Sequence, residues 1–313
     1  MFDIFPYTPD KADEWNRFVA QSKNGTFLFD RRYMDYHSDR FVDHSVMIYT
    51  RGTLYALLPA NIVGDTLYSH GGLTYGGLIM SRDSRAAAVR SLFIDLNQYL
   101  RSCGVRRVEY KPVPHIYSSI PSDEDLFALH NVCHASVTSR DVASVVDLSD
   151  PIPFTTLRRR GVRKGERCQL QVQQSPDWAS FWTVLEENLQ RRHRATPVHT
   201  LDEIIRLSAS FPENIRLFLV TNRQAVLGGT VIYETPLVAK TQYISASEDG
   251  RACGALDFLF ARLLTLYAGR GVRYFDFGTS NLVTTDDLNE SLIFQKEGFG
   301  GRALCYDKYE WIL

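Results

Sequence analysis

Serine, glycine and arginine residues occur at short spacing in the second half of the sequence. Ser245 and Ser247 end a strand-like segment, and a turn with Gly250, Arg251 and Gly254 follows before an apolar helix. Glycine lets the backbone approach a ligand closely, and the N–H groups at a helix start carry partial positive charge. This pattern suits a phosphate or a developing oxyanion. The alternative is a plain crossover in which the glycines only make a tight turn.

The helix and the strand that follow this turn would hold the anion site in place. Apolar residues at spacings of three and four predict an amphipathic helix that ends at Gly269 and Gly271. The run Val272 to Phe277 then reads as a strand, which completes a βαβ unit. The apolar helix positions are Leu256, Leu259, Phe260, Leu263, Leu266 and Tyr267.

The helix and strand of this unit occur twice in the chain. Residues 92–110 and 259–277 share Leu-Phe, a mid-helix Leu, Gly-Val-Arg and an apolar-acidic-aromatic pattern, at a constant offset of 167 residues. We therefore predict a mixed α/β fold of two tandem domains, residues 1–150 and 151–313. Each domain would contain a mixed, mostly antiparallel sheet flanked by helices.

Composition limits the class of protein. The chain has 313 residues, 44% of them hydrophobic, which is enough for about two domains with sizeable cores. Its net charge of −1 lacks the basic excess of a dedicated nucleic-acid binder. The five scattered cysteines show no metal-ligand spacing, so we expect no metal. The acidic N-terminus and the lack of a long apolar run predict a cytoplasmic protein without a transmembrane segment.

A glycine-rich segment in the first half is a candidate contact for an acceptor substrate. Residues 67–79 contain four glycines together with His70 and Tyr75, whose polar tips could hydrogen-bond a ligand. Lys111 follows in a proline-rich loop and could project toward the same site. The alternative is a structural turn between strands.

Six basic residues occur between positions 158 and 167, where we expect the two domains to be joined. We predict that Arg160, Arg163 and Lys164 bind a phosphate of the acceptor. The alternative is a solvated helix face.

The order of these motifs resembles the GNAT acyltransferases. Arg251 to Gly254 matches the R-x-x-G turn of that family, and Phe294, Gly298 and Phe299 match a later F-x-x-x-G-F motif. The duplication, the basic run RRRGVRKGE, the run FDFGTSN and the Lys of QKEGFGG look more like the FemABX-type subgroup. The members of that subgroup are duplicated GNAT folds that acylate amino groups of peptidoglycan or related surface-polymer precursors.

The resemblance implies roles for individual residues. The glycine turn would bind the pyrophosphate of acetyl-CoA or another acyl-CoA, and backbone N–H groups near Ser245 to Ser247 would stabilise the oxyanion. The resemblance does not indicate a general base, for which Asp276 and Glu290 are the two candidates. Lys296 matches the Lys that FemABX-type proteins keep near the reacting ester, and it gains importance because Phe294 stands where many GNAT enzymes have a proton-donating Tyr. On its short helix we expect Phe294 to face inward and Lys296 to lie outside the apolar side. The cofactor-binding residues would be Ser247, Gly250, Arg251, Gly254, Ala255 and Asn281.

These features together favour an N-acyltransferase, with an N-acetyltransferase as the leading candidate. The acceptor would be an amine on a small-molecule or lipid-linked saccharide, such as a sugar-nucleotide, cell-wall or surface-polysaccharide precursor. Aminoacyl-tRNA is the alternative donor, and a nucleic acid would be a partner only in that case. A non-catalytic tandem domain that binds a saccharide or a protein is the alternative of another class. The sequence does not determine the oligomeric state.

Overall fold

The computed structural model describes residues 1–193, 195–223, 225–282, 285 and 287–313, without the side chains at positions 37, 192 and 193. The chain forms two compact units. One contains Met1–Asp141 and Cys305–Leu313, and the other contains Val142–Leu304. Residues 158–167, where we expected the two domains to be joined, therefore belong to the second unit.

The strands and helices are numbered in chain order. The strands are β1 Asp3–Pro6, β2 Val46–Thr50, β3 Thr53–Leu58, β4 Asn61–Val63, β5 Thr66–Tyr68, β6 Ile79–Met80, β7 Arg107–Tyr110, β8 Ser136–Asp147, β9 Gln171–Gln174, β10 Ile215–Thr221, β11 Val226–Glu234, β12 Val238–Ala246, β13 Tyr274–Thr279 and β14 Arg302–Ile312. The helices are α1 Ala12–Gln21, α2 Arg31–Met34, α3 Ala86–Ser102, α4 Glu124–Asn131, α5 Thr156–Arg167, α6 Trp178–His193, α7 Leu201–Ser210, α8 Glu248–Cys253, α9 Ala255–Gly269 and α10 Glu290–Glu297.

In the first unit, two groups of strands pack with α3 and α4. The strands β1, β2, β3 and β6 form an antiparallel sheet, while β5 pairs in parallel with β7. The apolar face of α3, including Leu92, Phe93 and Leu96, is fully buried in this core. Residues 309–312 of the final strand β14 pair with β7 in the first unit.

In the second unit, one sheet carries helices on both faces. The strand order is β8-β13-β12-β11-β10-β9, and only β12 and β13 are parallel. The core on one face contains Ile244, Phe275 and the apolar side of α9. On the other face, α6 contacts Tyr243 through Trp182, with ring centroids 5.3 Å apart. The predicted strand–helix–strand order of this region is confirmed.

The basic segment forms helix α5, which packs closely on α9. A β-carbon added to Gly165 would lie 2.7 Å from Phe258 Cβ, and one added to Gly161 would lie 2.7 Å from Asp257 Cβ. These two glycines lie four residues apart and therefore on one face of the helix. The arginine and lysine side chains consequently lie on the rest of the helix surface.

The parallel pairing of β12 and β13 stops early and leaves a gap between the strands. Their last partners are Lys240 and Asp276, whereas β12 continues along β11 as far as the pair Ala246 and Gly228. A register shift between Val231 and Ile232 accompanies this divergence. The gap between β12 and β13 is called the fork below.

No helix in the described part of the chain is both long and apolar enough to cross a lipid bilayer.

Candidate functional site

A cavity of about 450 Å³ opens at the fork in the second unit. Its size lies within the usual range for small-molecule sites. Its wall combines apolar side chains with three cations and one carboxylate. The lining residues are Arg158, Asn188, Ile244, Ser245, Ala246, Arg251, Gly254, Ala255, Leu256, Asp257, Phe260, Phe277, Leu292, Gln295, Lys296 and Phe299. A more open depression of about 620 Å³ beside β9 holds none of the residues predicted to be functional.

The backbone of β12 presents a hydrogen-bond donor to the fork. Hydrogen bonds alternate along an antiparallel strand pair, and Ser247 N donates to Leu227 O at 3.0 Å. The N–H group of Ala246 therefore points away from β11 and into the fork. Within the predicted range Ser245 to Ser247, the N–H group of Ser245 points toward β11, and its hydroxyl donates to Val184 O at 3.1 Å. Ala246 is therefore the residue of this range whose N–H group is directed into the fork.

The predicted glycine turn is a short helix rather than an open loop. Ser247 caps α8 by accepting a hydrogen bond from Gly250 N at 3.1 Å. Gly250 is buried against Leu227 O, so it supports this turn and does not line the cavity. Gly254 has a φ of +74° and separates α8 from α9, which begins at Ala255. The conformation favours glycine at this position.

Two arginines bring positive charge to the N-terminal end of α9. Arg251 Nη1 donates to Ala246 O at 2.6 Å and to Asn188 Oδ1 at 3.1 Å. Arg158 Nη1 lies 2.6 Å from the carboxylate of Asp257, and both side chains are largely buried. Burial raises the pKa of Asp257, and Arg158 opposes that shift. This end of the cavity therefore suits an anion, with Asp257 already neutralising part of the charge of Arg158.

Lys296 lies at the cavity wall, yet its side chain is only 5% exposed. Its ammonium group donates to Gly278 O at 2.9 Å, to Thr279 O at 2.7 Å and to Ser280 Oγ at 3.0 Å. Burial lowers the pKa of Lys296 to about 8. The expectation that Lys296 lies outside the packed side of α10 is therefore wrong. Phe294, which was expected to face inward, is 62% exposed.

Asp276 and Lys240 form the last residue pair of β12 and β13 before the fork begins. Asp276 is fully buried, and its Oδ1 accepts a hydrogen bond from Gly278 N at 2.7 Å. A fully buried carboxylate cannot contact an incoming amine, so the structure does not favour Asp276 as the general base. Glu290 does not line the cavity either. Lys240 is only 9% exposed, and burial lowers its pKa.

The predicted acceptor residues of the first unit are largely part of its interior. Tyr75 is 1% exposed, and its hydroxyl donates to Thr26 Oγ1 at 3.3 Å while its ring packs on Tyr117. His70 is also buried, and its ring packs against Phe41. Packing therefore accounts for His70 and Tyr75. Lys111 donates to Leu73 O at 2.8 Å, and burial lowers its pKa to about 8.

The remaining predicted residues do not line the cavity. Arg160, Arg163 and Lys164 are exposed on α5, and Arg160 and Arg163 border an open surface depression with Arg167 and Glu166. Asn281 accepts a hydrogen bond from Val142 N at 2.7 Å. Among the residues at the fork, sequence reasoning missed Arg158, Asp257 and Lys240, because each becomes notable only through a partner that is distant in sequence.

Comparisons with known proteins agree with this fold. Residues 156–284 match the family described as acetyltransferase (GNAT) domain. The structure of FemX is 11% identical and has a TM-score of 0.69, with 99% of this chain and 97% of that chain covered. L-PGS from Bacillus licheniformis is 15% identical with a TM-score of 0.61, and 97% of this chain and 91% of that chain are covered.

A tandem GNAT protein from the clavulanic acid biosynthesis pathway is also similar. It is 13% identical with a TM-score of 0.51, and the coverage is 100% of this chain and 98% of that chain. No curated protein sequence matches the chain. No group of residues suited to holding a metal ion occurs in the described parts of the structure.

Proposed function

We propose that this chain, a tandem FemX-like fold whose residues 156–284 form a GNAT domain, transfers an acyl group from an anionic carrier to an amine. The observation that carries the proposal is the cavity at the fork. There the N–H group of Ala246 faces a space bordered by Arg158, Arg251 and Lys296. A preorganised donor and nearby cations stabilise the negative charge that develops on the attacked carbonyl oxygen.

The residues of the cavity fit an acyl thioester. Arg158 and Arg251 lie at the N-terminal end of the fifteen-residue helix α9, where a phosphate would gain from both charge and helix dipole. The apolar wall, including Phe260 and Phe277, would exclude water from an extended arm. When bound, acyl-CoA would supply the activated acyl group. Acetyl-CoA is the donor that we favour.

The missing proton donor also favours a thioester. No tyrosine lines the cavity among the residues that the structure describes, and Phe294 is exposed. A thiol has a pKa of about 8.5, so its thiolate can leave without being protonated. The alkoxide that leaves from a ribose ester is a much stronger base and needs a proton. Aminoacyl-tRNA is therefore the less favoured donor.

The acceptor is best described as an amine that arrives in its neutral form. No carboxylate of the described cavity is free to remove its proton, because Asp257 is paired with Arg158. A neutral amine is the nucleophile, so the rate should rise with pH through the pKa of the acceptor. We favour an amino group on a sugar-nucleotide or another cell-surface precursor. Arg160, Arg163 and Lys164 would bind its phosphate groups.

The test combines binding with turnover. Acetyl-CoA at 100 times its Kd should add about 2.7 kcal/mol of stability, measured as a rise in Tm. Free thiol should then appear when a panel of amino sugars and amino sugar nucleotides is added. The control is Arg251→Gln, which removes one cation from the cavity. A Tm that is unchanged by acetyl-CoA, together with transfer from aminoacyl-tRNA, would replace the thioester by the ester donor.

A further inference from the structure

Three buried charged groups surround Gly278 at the fork. The carboxylate of Asp276 accepts its N–H group at 2.7 Å, and the ammonium of Lys296 donates to its carbonyl oxygen at 2.9 Å. A β-carbon added to Gly278 would lie 3.5 Å from Lys240 Nζ. Gly278 has a φ of +71°, which favours glycine. Two cations and one anion therefore meet at a single residue in the interior of the second unit.

The ammonium group of Lys240 is weakly hydrogen-bonded. Its one hydrogen bond within the described structure joins Nζ to Thr241 O at 3.4 Å, which is long for an ammonium donor. A buried ammonium with so weak a partner is costly. Lys240 also stands opposite Asp276 in the last pair of β12 and β13, where the fork begins.

We propose that Lys240 and Asp276 are positioning residues that act through Lys296, by setting the charge of its ammonium group from two sides of Gly278. The inference rests on the proposed function, since Lys296 borders the cavity in which the acyl group would be transferred. Neither Lys240 nor Asp276 lines that cavity, so neither has to contact substrate.

The two residues act in opposite directions because their charges are opposite. Asp276 raises the pKa of Lys296 and Lys240 lowers it, while burial accounts for the largest part of the depression to about 8. The other charged groups of the cavity are Arg158 on α5, Asp257 on α9 and Arg251 on α8. Arg158 is paired with Asp257, which neutralises part of its charge. The charged groups that shift the pKa of Lys296 are thus Asp276 and Lys240, both next to Gly278.

The consequence is a tunable charge near neutral pH. Lysine ordinarily stays protonated well above pH 9. With a pKa of about 8, Lys296 loses its charge within the range in which an amine acceptor becomes nucleophilic. A charged Lys296 favours an anionic transition state, so kcat/KM should fall on the alkaline side as Lys296 is deprotonated.

The test compares two variants with nearly unchanged shape. Lys240→Met removes the neighbouring positive charge and should move the alkaline fall in kcat/KM to higher pH by about one unit. Asp276→Asn keeps an oxygen that can accept from Gly278 N and should move the same fall to lower pH by about one unit. Arg206→Met is the matched control, because Arg206 is an exposed cation on α7 of the same unit and has no role in the proposed site. Its profile should match that of the unmodified protein.

A second measurement does not need activity. The free energy of unfolding should rise with pH above the folded pKa of Lys296, since the unfolded chain then binds more protons. This rise should begin at lower pH in Asp276→Asn. Lys240 adds a rise of its own because burial lowers its pKa, so Lys240→Met is compared with the double variant Lys240→Met/Lys296→Met. The difference between those two profiles should begin at higher pH than the difference between the unmodified protein and Lys296→Met. If both variants move in the same direction, or neither moves, the inference is overturned. If the unfolding profiles move apart but no acyl donor is turned over, the charge coupling stands and the proposed function fails.

Discussion

Replacing Lys296 by Met should change how the stability of the protein depends on pH. Lysine in an unfolded chain has a pKa of 10.5, whereas burial lowers the pKa of Lys296 to about 8 in the folded state. Below pH 8 the group is protonated in both states and contributes no slope. Between pH 8 and 10.5 the unfolded chain binds more protons, so the free energy of unfolding rises with pH.

The magnitude follows from the size of the shift. Each pKa unit corresponds to about 1.36 kcal/mol, so the depression of Lys296 is worth ~3 kcal/mol when complete. The unmodified protein should gain ~2 kcal/mol between pH 7 and 10 that Lys296→Met lacks. At pH 7 two effects oppose each other in the variant. The acceptors Gly278 O, Thr279 O and Ser280 Oγ lose their donor, which costs ~1–3 kcal/mol, but an unfavourable buried charge also disappears.

Urea unfolding of both proteins at several pH values measures this difference directly. Titrating groups that do not interact with Lys296, including Lys111 with its pKa of about 8, cancel because they occur in both proteins. Turnover of Lys296→Met should also fall at least ~10-fold, which corresponds to about 1.4 kcal/mol of transition-state stabilisation. Parallel unfolding profiles for the two proteins would refute the buried, depressed state of Lys296. A normal turnover would separately remove Lys296 from the reaction.

Three further substitutions test other parts of the site. Arg251→Gln should raise the KM for the acyl donor by roughly tenfold with a smaller change in kcat, because it removes one charged contact to the carrier. Steady-state kinetics at a fixed acceptor concentration measures both constants. Arg163→Glu should raise the KM for the acceptor. Because the side chain is exposed, this increase in KM should be smaller at high salt. An unchanged KM would mean that the basic side of α5 is only a solvated helix face. Gly254→Ala should lower the free energy of unfolding, measured in urea, by ~1–3 kcal/mol. The reason is that φ is +74° and the new β-carbon would lie 2.5 Å from Gly161 O. An unchanged free energy of unfolding would show that α5 can move away.

The long amphipathic elements were predictable from the sequence. Apolar spacing predicted α9 with bounds within a few residues, and the run 272–277 fell largely within β13. These segments are long enough for their periodicity to outweigh local ambiguity. The repeat at an offset of 167 residues also places a helix and a strand in each unit, since positions 107–110 of β7 correspond to positions 274–277 of β13.

The interior of the site was not predictable in the same way. Helix α10 has only eight residues, so its apolar pattern did not reveal that Lys296 faces inward and Phe294 outward. The contact between Arg158 and Asp257 joins residues 99 positions apart. Lys240 looks like an ordinary strand residue until the end of the β12–β13 pairing is known. Each of these features depends on tertiary packing, which sequence periodicity does not encode.

The close contact between α5 and α9 has a consequence for how α5 can vary. Gly161 and Gly165 leave no room for a side chain, since a β-carbon would lie 1.9 Å from Asp257 Oδ2 or 2.7 Å from Phe258 Cβ. The arginines between and around them are mostly exposed and meet no such limit. Saturation mutagenesis that measures the cellular abundance of each variant should therefore show that substitutions at positions 161 and 165 lower abundance. Substitutions at positions 160, 163 and 164 should leave it unchanged. If variants at positions 160, 163 and 164 are depleted only under selection for activity, these exposed basic side chains take part in binding.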